Sequence, residues 1–137
     1  FCASSIGGVV QGYDRDQASA KMRDGKVVII TGGTGNPYFT TDTAACLRGV
    51  ELQVDLVVKA TNVDGIYSAD PKKDPTATKY ERISFDQVLE QQLGIMDLTA
   101  MVLCKENAMP LVVFDASVRG ALKAIVAGQR IGTKVIQ

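Results

Sequence analysis

Short apolar runs alternate along the chain with longer segments that mix apolar and polar residues. Three runs are continuous and rich in β-branched residues: 27–30, 56–58 and 111–114. Runs of this kind are typical of central strands in a parallel sheet, which are buried on both faces. Weaker patterns predict three further short strands, the last of them at the edge of the sheet: 8–10, 80–83 and 134–136.

Helix start and stop signals lie between the predicted strands. Asp14 with Gln17, and Ser84 with Gln87, have the spacing of capping boxes, and glycines follow several of the periodic segments. These signals predict five helices: one from Asp14 to Gly25, one at 43–48 after a cap cluster at 40–42 and closed by Gly49, one at 85–92, one from 96 to 107, and one from Ser117 to 127 closed by Gly128.

The order of strands and helices indicates the fold class. Strands that alternate with helices are typical of α/β proteins. We therefore predict a three-layer α/β/α sandwich with a mostly parallel sheet. Neither an internal repeat nor a linker-like segment interrupts the 137 residues, so we place no domain boundary within them.

Charge and hydropathy narrow the range of partners. Lys plus Arg and Asp plus Glu each number 15, for a formal net charge of zero. Proteins that hold nucleic acids normally carry a basic excess, so we expect no nucleic-acid partner. No apolar run approaches the ~20 residues of a membrane span, so we expect no membrane association. Local anion sites stay possible, because backbone N–H groups bind phosphate without changing the net charge.

The reactive side chains exclude several chemistries. The chain contains no histidine, and its three cysteines, Cys2, Cys46 and Cys104, are far apart. Histidine-based triads and the usual zinc patterns are therefore excluded, and we predict no protein metal site. Buried, reduced cysteines are typical of a cytoplasmic protein. The segment after Phe1 lacks the pattern of a signal peptide, and we expect the chain to begin in the middle of a fold.

Two polar segments follow predicted strands, where ligands bind in open α/β sheets. The first, residues 31–42, combines three glycines with a helix start whose free N–H groups suit a phosphate, although a plain glycine turn with an N-cap explains it equally well. It matches neither GxGxxG nor GxxxxGK[ST]. The second, residues 61–71, could bind a nucleotide through Tyr67 and Asp70, but a loop with two Asx turns is the simpler interpretation. Asp42 and Asp97 can be explained as charges facing helix dipoles.

The same segments carry a resemblance to a known family. Residues 33–42, Gly-Thr-Gly-Asn-Pro-Tyr-Phe-Thr-Thr-Asp, resemble the signature loop of the bacterial UMP kinase family. Residues 61–71 resemble the nucleotide segment of the wider amino acid kinase superfamily, which aspartokinases and glutamate 5-kinases share. Residues 74–77 and 96–100 are also similar to UMP kinases. The first string is therefore the one that discriminates within the superfamily.

The resemblance implies an enzyme that transfers the γ-phosphate of ATP to UMP with Mg²⁺, gives UDP, and assembles as a homohexamer. By position, eight residues would contact UMP: Thr34, Gly35, Asn36, Pro37, Tyr38, Phe39, Thr40 and Thr41. Four residues would contact ATP: Thr61, Asn62, Tyr67 and Asp70. Asp97 would lie near the phosphates and position a lysine or Mg²⁺, and Asp42 would support the same catalytic site.

The chain departs from the family in one large respect. The Lys-x-Ser-Gly and Gly-Gly-Gly-Asn loops of the family's N-terminal half do not occur in it. The resemblance therefore covers only the C-terminal nucleotide-binding portion, and we expect negligible kinase activity from these 137 residues alone. Two alternatives stay open: a fragment of an aspartokinase or glutamate 5-kinase, and a non-catalytic nucleotide-sensing module.

Overall fold

The computed structural model describes all 137 residues and contains five helices and six strands. The helices are α1 Arg15–Arg23, α2 Thr41–Glu51, α3 Phe85–Glu90, α4 Leu98–Glu106 and α5 Ala121–Val126. The strands are β1 Val57–Thr61, β2 Ile66–Tyr67, β3 Lys79–Tyr80, β4 Arg82–Ser84, β5 Leu111–Asp115 and β6 Thr133–Ile136. None of the helices is both long enough and apolar enough to cross a membrane.

The main sheet has four strands in the order β1-β5-β6-β4. β1 pairs with β5 and β4 pairs with β6 in parallel, whereas β5 and β6 are antiparallel. The prediction of a mostly parallel sheet is confirmed, but β6 was wrongly predicted to be an edge strand. It lies between β5 and β4, because both of its backbone edges find partners. β2 and β3 form a separate antiparallel hairpin.

Side chains of β5 alternate between two apolar clusters, one on each face of the sheet. Leu111 and Val113 belong to the larger cluster, which also contains buried residues of α2, α3 and α4. Val112 and Phe114 point into a smaller cluster with Ala121 and Ile125 of α5. Helices therefore cover both faces, and the predicted three-layer α/β/α sandwich is confirmed.

Most of the predicted helix starts are present. The Asp14 side chain accepts a hydrogen bond from the Gln17 N–H at 2.8 Å. Thr40 caps α2 by accepting from the Thr43 N–H at 3.2 Å. Ser84 and Gln87 form the full reciprocal capping box of α3. Such caps satisfy N–H groups that have no partner within the helix, and each contributes about 1 kcal/mol.

The predicted end of α2 at Gly49 and the predicted start of α5 at Ser117 are wrong. Gly49 does not close α2, which continues to Glu51; Gly49 is buried, and a Cβ there would lie 2.7 Å from a methyl group of Val57. It is a glycine because β1 passes so close to the helix. Ser117 does not cap α5, because its N–H donates to the Asp115 carboxylate in a turn, and the helix begins only after Gly120.

Two predicted strands, 8–10 and 27–30, do not form. Val10 closes a turn by donating its N–H to the Ile6 carbonyl at 3.0 Å, and Val9 is exposed. Residues 27–30 are without a strand ladder, and Val27 and Ile29 are 93% and 71% exposed. An apolar run becomes a strand only when a neighbouring strand supplies hydrogen bonds. Predicted strand 80–83 is likewise divided between β3 and β4.

The three cysteines are free thiols. Cys46 of α2 and Cys104 of α4 are fully buried, as predicted, whereas Cys2 is half-buried, which corrects the prediction for that residue. The hydrogen bond between the two buried thiols, together with burial, raises the pKa of Cys46 above its ordinary value. The same hydrogen bond lowers the pKa of Cys104, and the two thiols contribute to the contact between α2 and α4.

Candidate functional site

Asp97 joins the starts of α2 and α4. Its carboxylate accepts hydrogen bonds from the hydroxyls of Thr40 and Thr43, the latter at 2.9 and 3.1 Å. It also accepts from the Ala100 N–H at 3.0 Å, which makes Asp97 the N-cap of α4. One side chain therefore fixes the position of the first turn of α2 relative to α4.

The environment of Asp97 keeps it ionised. Burial raises the pKa of this carboxyl, but hydrogen bonds from Thr40, the Ala100 N–H and Thr43 outweigh burial, so its pKa is lowered overall. Hydrogen bonds donated to a carboxylate stabilise the charged form. Asp97 is therefore an anionic acceptor at neutral pH and has no proton to give as a general acid.

Lys59 projects from β1 to the same helix start. Its Nζ donates to Asp42 Oδ2 at 2.6 Å and to the Ile95 carbonyl at 2.8 Å. The side chains of Lys59 and Asp42 are only 25% and 28% exposed. Lys59 was not selected from the sequence, although a lysine inside an otherwise apolar strand, just before a polar loop, is a usable signal. Its charge lies where β1 meets the candidate nucleotide segments.

A cavity of about 570 Å³ opens beside Lys59. Three of the four residues assigned to ATP by resemblance, Thr61, Tyr67 and Asp70, line it. The fourth, Asn62, is exposed and does not line the cavity. Residues 91–95 also line it. A mixed polar and apolar cavity of this size is typical of small-molecule sites.

A small polar network orients Tyr67 at this cavity. The phenol donates to Asp64 Oδ1 at 2.8 Å, and Asp64 Oδ2 accepts from Lys79 Nζ at 2.9 Å. The hydrogen bond to Asp64 raises the pKa of Tyr67, while those from Lys79 and then Tyr67 lower the pKa of Asp64. Sequence reasoning missed Asp64 and Lys79, because only folding brings β3 beside β2.

Asp70 shapes the far end of the same loop. Its carboxylate accepts from the Lys72 N–H at 3.0 Å, which is the Asx turn expected from the sequence. The side chain also lies 3.9 Å from Lys73 Nζ in an exposed ion pair. Asp70 therefore serves the local turn and faces the cavity at once, so both interpretations of this residue fit the geometry.

The glycine-rich loop that precedes α2 is a self-supporting turn. Asn36 donates its N–H to the Thr34 hydroxyl at 3.1 Å, and Gly35 has a left-handed φ of 79°. Tyr38, which has a φ of 69°, is fully exposed, and Phe39 is half exposed. The loop presents its side chains to solvent and ends at the Thr40 cap of α2.

The predicted site residues thus divide into two groups. Thr40, Asp42 and Asp97 converge at the start of α2, and Lys59 connects them to the cavity. The remaining residues assigned to UMP do not line that cavity: Thr34, Gly35, Asn36, Pro37, Tyr38, Phe39 and Thr41. Of these, Thr41 borders a second cavity of about 360 Å³, together with Arg48. The fold thus contains two candidate cavities: the larger is linked to Asp42 of α2 through Lys59, and the smaller borders Thr41 of α2.

Comparison with known sequences identifies the family to which the chain is similar. A sequence profile of the amino acid kinase family matches residues 2–115. The chain is 53% identical to the uridylate kinase of Marinobacter nauticus over 133 residues, which are 97% of the chain and 55% of that protein. It is 54% identical to the uridylate kinase of Bacteroides thetaiotaomicron over 123 residues, 90% of the chain and 52% of that protein.

Solved structures give the same result for the backbone. The UMP kinase of Bacillus anthracis superposes with a TM-score of 0.94 at 29% identity, over 98% of this chain and 56% of that one. The UMP kinase of Ureaplasma parvum gives 0.91 at 33% identity, over 99% and 58%. The chain spans about half the length of the curated relatives it matches. Because the profile extends over most of its residues, the chain belongs to the amino acid kinase family.

Proposed function

We propose that the chain forms the nucleotide-binding part of a UMP kinase, which transfers the γ-phosphate of ATP to UMP and gives UDP. The observation that carries this proposal is the position of Lys59. Its ammonium group lies at the wall of the larger cavity and simultaneously contacts Asp42 in the first turn of α2. A donor nucleotide on one side and an acceptor nucleotide on the other would thus meet at one fixed positive charge.

ATP is proposed to occupy the larger cavity. Tyr67, held by Asp64, offers a flat apolar ring with a fixed hydroxyl, and Asp70 offers an acceptor for hydroxyl or amino groups. Thr61 and Lys59 lie on β1, at the carboxyl end of a parallel strand where phosphates bind in α/β sheets. The triphosphate would therefore extend from the loop of Tyr67 towards Lys59.

UMP is proposed to bind along residues 34–41, with its phosphate at the start of α2. The N-terminus of this 11-residue helix carries a partial positive charge and N–H groups that suit an anion. Asp97 fixes the position of this helix start through the Thr40 and Thr43 hydroxyls. Names of the relatives favour UMP over a free amino acid as the acceptor.

The proposed reaction requires the protein mainly to position the two nucleotides and to supply positive charge. Phosphoryl transfer depends on alignment and on stabilising charge at the transferred group. The phosphate oxygen of UMP is already a competent nucleophile, so the absence of histidine is no obstacle. Lys59 can stabilise negative charge that develops between the two nucleotides. Asp42 and the Ile95 carbonyl keep its ammonium group at that position.

Mg²⁺ fits this site only as a partner of the nucleotide phosphates. The structure contains no group of three or more side chains able to hold a metal ion, and Asp97 and Asp42 already accept hydrogen bonds from threonines and Lys59. Mg²⁺ usually binds through one or two carboxylates plus substrate phosphates and keeps several waters. Asp42 and Asp97 are the carboxylates that would hold the ion there, and the ion would supply charge neutralisation.

We further propose that the 137 residues alone bind nucleotides but transfer phosphate very slowly. Lys59 is the one cationic side chain that lines the larger cavity. Removing a single group that stabilises transition-state charge commonly costs about 10²–10³ in rate. Relatives of about twice this length have room for further charged groups. A homohexameric assembly and a cytoplasmic location are proposed for the complete enzyme on the family resemblance alone.

Equilibrium titration tests the proposed function. We expect the chain to bind the ATP analogue adenylyl imidodiphosphate and UMP with one site each, and each nucleotide to bind in the presence of the other. Aspartate and glutamate, the acceptors of related kinases, should give no signal. Isothermal calorimetry measures all four ligands on one preparation. Competition between UMP and the ATP analogue for one site, or binding of an amino acid in place of UMP, would contradict the proposal.

A further inference from the structure

Thr133 is a fully buried polar residue at the start of β6. Its hydroxyl donates to the Tyr80 carbonyl and accepts from the Ile66 N–H at 2.8 Å. Both hydrogen bonds lead out of the main sheet, since Ile66 is in β2 and Tyr80 is in β3. A valine would fill the same volume, so packing alone does not require a hydroxyl at this position.

The two partners of Thr133 face one another in the small hairpin. Ile66 and Tyr80 are paired residues of the β2-β3 ladder, which contains only two residue pairs and does not join the four-stranded sheet. An isolated two-stranded hairpin has marginal stability in water. The Thr133 hydroxyl links both strands of this hairpin, at one register position, to a strand in the interior of the main sheet.

Gly65 allows this close approach. A Cβ at Gly65 would lie 2.5 Å from the Thr133 hydroxyl and 2.7 Å from Cε of Lys79. A side chain there would therefore push the hairpin away from β6. The contact therefore depends on two residues: Gly65, which leaves space beside the hairpin, and Thr133, which supplies the hydroxyl from the sheet.

The hairpin carries the cavity wall assigned above to ATP. Tyr67 is in β2, and residues 68–71 continue from it along the cavity. The network that orients Tyr67 spans the same two strands, from Asp64 to Lys79. We propose that Thr133 is a positioning residue of the ATP site. Its hydroxyl holds this hairpin in the position in which Tyr67 and Asp70 face the nucleotide. The proposal rests on the function proposed above.

Thr133→Val tests this role because it removes the hydroxyl and keeps the volume. We expect the variant to bind adenylyl imidodiphosphate about tenfold more weakly, because both hydrogen bonds between the Thr133 hydroxyl and the hairpin are lost, and to bind UMP as the wild type does. Thr133→Ser keeps a hydroxyl and should restore most of the affinity. Val135→Ala, at another buried position of β6, is the matched control and should lower stability without selectively weakening ATP-analogue binding.

Amide hydrogen exchange on the same variants separates this inference from the proposed function. In Thr133→Val we expect the Ile66 and Tyr67 amides to exchange at least several-fold faster, while the amides of β5 remain protected as in the wild type. Unchanged exchange in the hairpin of Thr133→Val would overturn the inference. It would also be overturned if Thr133→Val lost affinity for UMP and for the ATP analogue equally, as Val135→Ala would if it only lowered stability. A wild-type chain that binds no nucleotide would instead overturn the proposed function, and hydrogen exchange alone would then decide whether Thr133 holds the hairpin.

Discussion

Replacing Lys59 by methionine is expected to weaken binding of adenylyl imidodiphosphate by about tenfold to a hundredfold. A hydrogen bond to a charged group contributes about 1.5–3 kcal/mol, and each 1.4 kcal/mol is about tenfold in affinity. Methionine keeps much of the apolar stem and removes only the ammonium group. Calorimetric titration of the wild type and the variant, in the same buffer, gives the two dissociation constants.

Two further variants separate a phosphate contact from a structural ion pair. Asp42→Asn removes the charge of the partner but keeps a side-chain oxygen that can accept from Lys59, and the Ile95 carbonyl still holds the ammonium group, so the ATP analogue should bind nearly as tightly as it does to the wild type. Lys105→Met removes a lysine of comparable exposure that also pairs with an aspartate, Asp86 at 2.5 Å, away from the cavity. It should not change affinity. If Lys59→Met and Asp42→Asn lose affinity equally, the lysine acts only through its partner.

Replacing Asp97 by alanine is expected to lower the free energy of unfolding by about 3 kcal/mol. The change removes the cap of α4, worth about 1 kcal/mol, and the acceptor of the two threonine hydroxyls from α2, worth about 2 kcal/mol more. Asp97→Asn should cost less, because an asparagine side chain can still cap the helix. Urea unfolding followed by circular dichroism measures both variants.

Acid dependence gives a second test of Asp97. Because its pKa is lowered in the folded protein, its charge stabilises the fold above the unfolded value of about 4, and this contribution is lost as the pH falls through the folded pKa. The stability difference between the wild type and Asp97→Asn should therefore be full at pH 6–7 and should shrink on acidification below about pH 4. Asp55→Asn, at an exposed aspartate whose side chain makes no hydrogen bond or ion pair, is the control and should show little difference at either pH. A difference independent of pH would contradict the role of the charge.

The sequence predicted the parts of the fold that depend on local chemistry. The capping residues Ser84 and Thr40 act on N–H groups that are close to them in the chain, so their spacing is visible in the sequence. The strand β5 is buried on both faces, and this burial is visible as a continuous apolar run. Residues 27–30 have the same apolar pattern as β5 but lack a ladder, because pairing depends on which strand lies alongside. Gly49 shows the same limit, since its role comes from the approach of Val57.

The candidate site follows the same division. Asp42, Asp97 and Thr40 lie at predicted helix starts and were assigned to the site by resemblance to the family, and the structure brings them together. Lys59 and Thr133 were missed because their importance depends on partners far away in the chain, Asp42 for Lys59 and Tyr80 for Thr133. Tertiary contacts of this kind are invisible to periodicity and capping rules.

The two-site arrangement is tested most directly by a crystal structure of the chain with UMP and adenylyl imidodiphosphate bound together. We predict the triphosphate within about 3 Å of Lys59 Nζ, the base beside Tyr67, and the UMP phosphate against residues 34–41 at the start of α2. Nucleotides bound elsewhere, with Lys59 still engaged only by Asp42 and Ile95 and the loop before α2 free of UMP, would contradict the proposed arrangement.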